Sequence, residues 1–336
     1  MERRQNMKDT GQDKKRTVQK IDKNTILLLC IIAFILLWAA VFKPARFYKP
    51  MNFISMAYQI PEFGVLSLGM AICMISGGID LSLVGIANLS AVVTALTVTS
   101  TDNAFLAILF VLLTGAAAGI FNGIMIGGLG IPAMLVTLGG LQIYTGLATA
   151  ITKGVSVTGV SEEFQIIGNG LLFGAIPYSL VILLAVAVIL SLILKYTVYG
   201  TQLYMMGTNK VAARYTGISI VKINIRTYMI SGILAGLCGI IMCSRYGSAN
   251  ADYGSSYTLL TLLIAVLGGI NPDGGKGKML GVVLSIVILQ LISSVFNILR
   301  FSAFLKTCIW GLVLILVMII NYWLIGRIAG KKAKNR

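Results

Sequence analysis

Apolar residues fall into long, nearly unbroken runs from Thr25 to Gly326, separated by short polar or glycine-rich punctuation. Runs of this length predict membrane-spanning helices. Their bounds read 25–42, 52–76, 81–99, 104–128, 131–152, 177–195, 224–243, 257–270, 279–299 and 304–326, about ten spans in all. The expected fold class is an all-α polytopic membrane helix bundle in a single integral domain, 25–326, flanked by tails 1–24 and 327–336. The first run, Ile26–Phe42, follows a charged lead of about 24 residues. It is expected to stay as a transmembrane helix of about 26 Å rather than be removed as a signal peptide.

Several runs are interrupted. Gly77-Gly78-Ile79-Asp80, Gly128-Leu129-Gly130-Ile131-Pro132 and the stretch Gly268 to Gly275 break the pattern. Irregular backbone at membrane depth is tolerated where protein or a watery cavity covers it, so broken helices beside a transport route are expected. Met74 to Asp80 is echoed weakly by Ala265 to Asn271. Gly115, Gly119, Gly123 and Gly127 recur every fourth residue, as do Gly232 and Gly236, giving faces on which another helix can approach closely.

Composition sharpens the class. Of 336 residues, 57% are hydrophobic, above the usual share of a soluble domain. The net charge of +16 sits largely in the two tails, beside spans rather than among stacking aromatics. Nucleic-acid binding is therefore not expected, and both termini are placed on the cytoplasmic side. Loop 153–176 carries Glu162 and Glu163 and is expected outside. Loop 196–223, purely basic, and loop 271–278 are expected inside. Lys43, Arg46 and Lys49 run against this rule in the first hairpin.

The chemistry is sparse. There is no histidine, and the five cysteines lie in apolar runs with no C-x-x-C, so no metal site is expected. Gly128 to Ala133 fits a dinucleotide fingerprint only superficially, lacking the strand and βαβ unit around it. Asp273 to Lys278 fails as a phosphate loop, because Met279 replaces the hydroxyl residue and Pro272 the first glycine. The chain is not expected to be an enzyme or to hold a cofactor, and any ATP is hydrolysed on another polypeptide. Acids inside the bundle are Glu62, Asp80 and, near an outer edge, Asp252. Asp80 reads as a cap for the following helix, and Glu62, after Pro61, as an acid in a helix's first turn. An ion-coupled secondary carrier using Asp80 is the alternative. Gln59, Asp80, Asn88, Asn122, Gln142, Tyr144 and Asn297 are candidates to line a route for a neutral hydroxylated solute, with interhelical bonding the competing role for each.

The segment Gly200–Arg226 carries Lys210, Arg214, Lys222 and Arg226 and no acid. Thr208 or Asn209 can cap a short helix, Ala212 and Ala213 favour it, and Gly217 can end it. A two-turn helix over 208–216, rich in small residues, suits docking to a soluble partner better than burial in lipid.

The chain resembles the permease subunits of bacterial ABC importers for monosaccharides, the ribose/xylose/galactoside type. The resemblance rests on Ser76-Gly77-Gly78-Ile79-Asp80-Leu81-Ser82 with Ala87 to Ala91, on Gly207, Asn209, Ala212, Ala213, Gly217 and Ile218, on Ser231 to Gly236 with Ser244-Arg245, and on Leu267-Gly268-Gly269 with Gly274, Gly275 and Gly277. It covers about residues 55 to 320. It implies a pore formed with a second permease, identical or a sister, in the lipid of the bacterial plasma membrane. It also implies cytoplasmic ATPase subunits that bind ATP and grip 207–218, with Gly207, Asn209, Ala212, Ala213, Arg214 and Gly217 as the coupling residues. An extracytoplasmic solute-binding protein would deliver the solute. Where such permeases often carry an acid before the paired alanines, Lys210-Val211 stands here, so a salt bridge through that acid is not expected. Permeases of this fold also carry nucleosides or autoinducer-2, so the solute stays open.

Overall fold

The computed structural model describes residues 23–42 and 44–334, with side chains described as far as Ile319. The basic lead 1–22, Lys43 and the last two residues of the tail lie outside the described residues. The helices are α1 (Lys23–Phe42), α2 (Pro44–Phe47), α3 (Pro50–Ile75), α4 (Leu83–Thr101), α5 (Ala104–Gly127), α6 (Ala133–Thr152), α7 (Glu162–Asn169), α8 (Tyr178–Tyr196), α9 (Val198–Thr208), α10 (Lys210–Tyr215), α11 (Ile220–Tyr246), α12 (Tyr257–Leu267), α13 (Met279–Ile298) and α14 (Ala303–Lys334). Four two-residue strands, β1 (Val157–Thr158), β2 (Leu171–Leu172), β3 (Ile176–Pro177) and β4 (Ser248–Ala249), pair antiparallel as β1–β4 and β2–β3 within loops. The molecule is an all-α bundle, as the apolar pattern requires.

Eight of the described helices are long and apolar enough to cross a membrane, and α12 and the stretch Ala303–Ile319 of α14 are shorter apolar helices. All ten therefore sit where a span was expected. The eighth is cut short. With 11 residues α12 reaches only about 16 Å, half the hydrocarbon thickness. The tenth is longer than expected, since the backbone of α14 continues as helix to Lys334 through the predicted tail.

Burial separates an inner from an outer set. In α3, α4 and α11, 83%, 72% and 78% of the spanning window is buried, against 28% or less in α1, α5, α6 and α8. The outer helices present leucine, isoleucine and phenylalanine outward, for example Phe34, Phe105 and Leu135. In water such a surface would drive association; facing lipid it needs no cover. The glycine faces do what their spacing predicts. Gly115, Gly119 and Gly123 of α5 meet the backbone of Gly232, Tyr228 and Ile225 of α11, and a Cβ at Gly119 would strike the Tyr228 carbonyl. The pair is the most extensively packed in the molecule.

Local chemistry sets the ends. Asn103, Thr197, Asn209 and Ser219 cap α5, α9, α10 and α11 by accepting from the N–H of Leu106, Gly200, Ala212 and Lys222. Such a cap contributes about 0.5–2 kcal/mol. One expectation is corrected here. Pro61 does not open a helix: α3 runs unbroken through it, so Glu62 lies mid-helix and not in a first turn. The missing N–H of Pro61 is tolerated within a long helix whose other bonds remain, and the acid needs a different explanation, given below.

Candidate functional site

Two places concentrate the polar and backbone irregularities of the bundle. The first is a knot where three chain segments meet. α3 ends in a turn in which Gly77 N–H donates to Met74 O and Gly78 N–H to Cys73 O, with Gly77 at φ +83°. α12 ends the same way, Gly269 N–H to Val266 O and Ile270 N–H to Ala265 O, with Gly269 at φ +83°. The sequence echo is thus a repeated helix-ending turn, its structural register shifted by one residue, with Gly77 matching Gly269. The segment after α12 returns to the first break: Gly275 N–H donates to Ile75 O at 2.9 Å. Gly207, in the last turn of α9, is wedged between them. A Cβ there would collide with Ile75 O and Gly275 N. Tyr204 of α9 donates its hydroxyl to Gly277 O at 2.8 Å, and burial pushes its phenol up, so it stays a donor.

α10 projects directly from this knot. Asn209 caps it at 3.0 Å to Ala212 N, and Gly217 ends it at φ +81°. Ala213 is buried against the bundle, whereas Asn209, Ala212, Arg214 and Gly217 are exposed. Val211 and Tyr215 are exposed beside them, at 65% and 88%. Tyr215 is a surface residue that the small-residue pattern passed over. The preceding 11-residue helix α9 was also not expected, because its mixed glycine, threonine and methionine content shows no apolar face. A cavity of about 720 Å³ lies alongside, lined by Gly77, Pro132, Lys210, Arg214, Tyr215 and Pro272 among others.

The second place is a cavity of about 550 Å³ bordered by α3, α11, α12, α13 and α14. Against it lies Glu62, fully buried, whose carboxylate accepts from Arg245 Nη1, from the Tyr246 hydroxyl at 2.8 Å and from the Tyr257 hydroxyl at 2.7 Å. Arg245 Nη1 also donates to Tyr58 O at 3.1 Å, and its guanidinium stands 5.5 Å from the Tyr246 ring centre. A carboxylate this deep is sustained by the cation and two phenols together, and losing any one would expose its desolvation cost. Gln290 donates to Gln59 at 3.1 Å on another wall. Ser255, Ser256 and Ser293, the rings of Phe63 and Trp310, and Lys306 also line it. Lys306 donates to Asn297.

The polar residues picked from the sequence have separate fates. Asp80 accepts from Ser82 N at 3.1 Å, Ser82 Oγ at 2.6 Å and Ser231 Oγ at 2.9 Å. Asn122 donates to Ser82 Oγ at 2.8 Å, and Tyr144 donates to Asn122 at 3.0 Å and to Ala118 O at 3.0 Å. These form one buried network tying the first break to α5, α6 and α11. Asn88 donates to Ala251 O at 2.6 Å. Gln142 is exposed on the outer face of α6. None of the six candidates Asp80, Asn88, Asn122, Gln142, Tyr144 and Asn297 lines either large cavity, although Gln59 and Asn297's partner Lys306 do line the second. Glu62 and Arg245, which do, were seen in the sequence without being joined. Two opposite charges in separate apolar spans are the signal that could have paired them.

Residues 52–320 match the family model described as branched-chain amino acid transport system / permease component. The chain is 30% identical to the ribose import permease protein of Bacillus subtilis over 82% of this chain and 86% of the relative. It is 32% identical to the autoinducer 2 import system permease protein of Yersinia enterocolitica, covering 90% and 83%. It is 31% identical to the L-arabinose transport system permease protein of Escherichia coli, covering 88% and 89%. No solved structure matches. With a bundle of membrane-length helices and matches across most of its length, the chain belongs to this transport-permease family and is the permease component of an ABC importer.

Proposed function

We propose that this permease carries a small sugar or sugar-like solute inward across the bacterial plasma membrane, using ATP hydrolysed on separate cytoplasmic ATPase subunits that bear on α10. The observation that supports this is the knot. Gly207 locks the root of α10 between the end of α3 and the segment following α12, backbone against backbone. A push on α10 therefore reaches both broken helices without a yielding side chain between them. Such a push biases the bundle between outward- and inward-open states. In this reading Gly207, Asn209, Ala212, Ala213, Arg214 and Gly217, with Tyr215, form the coupling surface. The knot is cytoplasmic and so are both termini. A second permease, identical or a sister, completes the pore in the surrounding lipid, and an extracytoplasmic binding protein supplies the solute at the opposite end. Asp80, Asn88, Asn122 and Tyr144 brace the helices around the route, and Asn297 stands at its rim through Lys306.

The solute class follows the relatives named for ribose, L-arabinose and autoinducer 2 rather than the amino-acid wording of the family description. The test is reconstitution in lipid vesicles. Uptake of D-ribose, L-arabinose or autoinducer-2 is expected only with the ATPase, the binding protein and ATP present. Concentrative uptake by the permease without nucleotide would overturn the proposal, as would ATP-driven uptake that survives reversal of the coupling charge by Arg214→Glu together with Tyr215→Ala.

A further inference from the structure

We infer that the 550 Å³ cavity beside Glu62 is a solute-binding station within the permease itself, built for a neutral polyhydroxylated ring. The inference rests on the importer reading above and adds where, and by which side chains, the solute is held.

The cavity has the size of a small-molecule site and the mixed lining of one. Its strongest charge is already neutralised. Glu62 is engaged by Arg245, Tyr246 and Tyr257, so it holds these groups in place and has little capacity left for a ligand. Ser255, Ser256 and Ser293 line the same space with hydroxyls that make no hydrogen bond among the described residues. Gln290 uses its amide nitrogen on Gln59 and keeps its carbonyl oxygen unengaged. Arg245 spends one nitrogen on Glu62 and Tyr58, and the side chain remains 20% exposed. Donors and acceptors thus meet the flat rings of Phe63 and Trp310 in one cavity. Hydroxyl groups satisfy the first set, and the C–H face of a sugar ring packs on the second. An added ligand charge would find no buried counter-ion left over: Glu62 and Arg245 are paired with each other, and Lys306, still cationic while it donates to the neutral Asn297 amide, stands at the cavity's exposed edge.

Trp310 provides the readout. The full chain in lipid nanodiscs is titrated with D-ribose, L-arabinose, the anion D-ribonate and the cation D-glucosamine, following tryptophan fluorescence. A saturable, Trp310-dependent response to a neutral sugar is expected, with both charged probes at least about tenfold weaker, a difference of about 1.4 kcal/mol. Ser293→Phe, which fills the cavity, removes the response with melting unchanged. Gln290→Leu weakens it about tenfold. No saturable response to either neutral sugar overturns the inference, as does a response that persists in Ser293→Phe or one stronger for a charged probe. ATP-driven uptake separates the two claims. Uptake that survives Ser293→Phe removes the station and leaves the importer; binding without any ATP-driven uptake in the complete assembly removes the importer and leaves the station.

Discussion

The knot beneath α10 and the cavity beside Glu62 are built from opposite materials. At the knot, Gly77, Gly207, Gly274 and Gly275 bring main chain onto main chain, and few side chains intervene. At the cavity, long side chains do everything: an ion pair, two tyrosines, two glutamines and aromatic rings around open volume. Backbone contact at such close approach has no rotamers to absorb motion, so it transmits displacement. Side chains around a void can rearrange, so they recognise. The difference predicts that damage at the two places is read by different assays.

The largest effect is expected at the ion pair. Arg245→Met leaves the Glu62 carboxylate buried with only two phenol donors. Breaking a buried pair costs about 3–5 kcal/mol, and the partial exposure of Arg245 places this case at the lower end. Reversible denaturation in detergent should show the loss, and adding Glu62→Gln to Arg245→Met should recover part of it. A double variant no better than the single one would mean that the carboxylate is not what strains the single variant.

Next comes Gly207→Ala. Overpacking typically costs about 1–3 kcal/mol, and backbone neighbours relax poorly. ATP-driven uptake should fall at least about tenfold while the Trp310 response to sugar is kept. The matched control is Gly311→Ala in α14, where an added Cβ meets nothing within 4 Å. If Gly207→Ala instead abolishes sugar binding and spares ATPase coupling, the division of labour is reversed. A smaller effect, about 1 kcal/mol of local helix stability, is expected for Asn209→Ala, which removes the cap of α10. Hydrogen exchange confined to 210–216 should speed up, with stimulation of the ATPase by the permease reduced in proportion.

The spans, the glycine faces and a short helix near 208–216, found as α10 (Lys210–Tyr215), were legible because each depends on residues close in sequence: apolar length, four-residue spacing, cap and stop. The cavity was not legible in that way. Glu62 and Arg245 are 183 positions apart, and Gln59 and Gln290 are 231 apart. Nothing local tells a polar residue that bridges helices from one that faces a void. The polarity that makes Asn122 and Tyr144 read as route candidates is the same polarity that makes them partners of each other. Pro61 misled for a related reason. Its local meaning is a helix start, and only the packing around α3 carries the helix through it. The full shortening of α12 was similarly hidden, since the glycines that stop it look like the end of an ordinary span.

The smallest expected effect is that of Asp80→Asn, and it tests whether two regions suffice. The carboxylate is fully buried, accepts from Ser82 and Ser231, and has no basic partner among the described residues. Asp80→Asn keeps an oxygen to receive the Ser82 N–H and hydroxyl. Its new amide can donate to Ser231, whose hydroxyl serves as acceptor as readily as donor. Removing a buried charge also lowers the desolvation cost, so gains and losses nearly cancel and the net change should stay within about 1 kcal/mol. Asp80→Ala, by contrast, deprives both serines of their acceptor and should cost about 1–3 kcal/mol. Melting of the two variants, beside ATP-driven uptake, checks this. Uptake by Asp80→Asn should remain within about twofold of the parent, a change of less than 1 kcal/mol. If it collapses while melting is unchanged, the negative charge itself takes part in transport. The bundle would then hold a third functional place at the first break, with the charge of Asp80 as its working part.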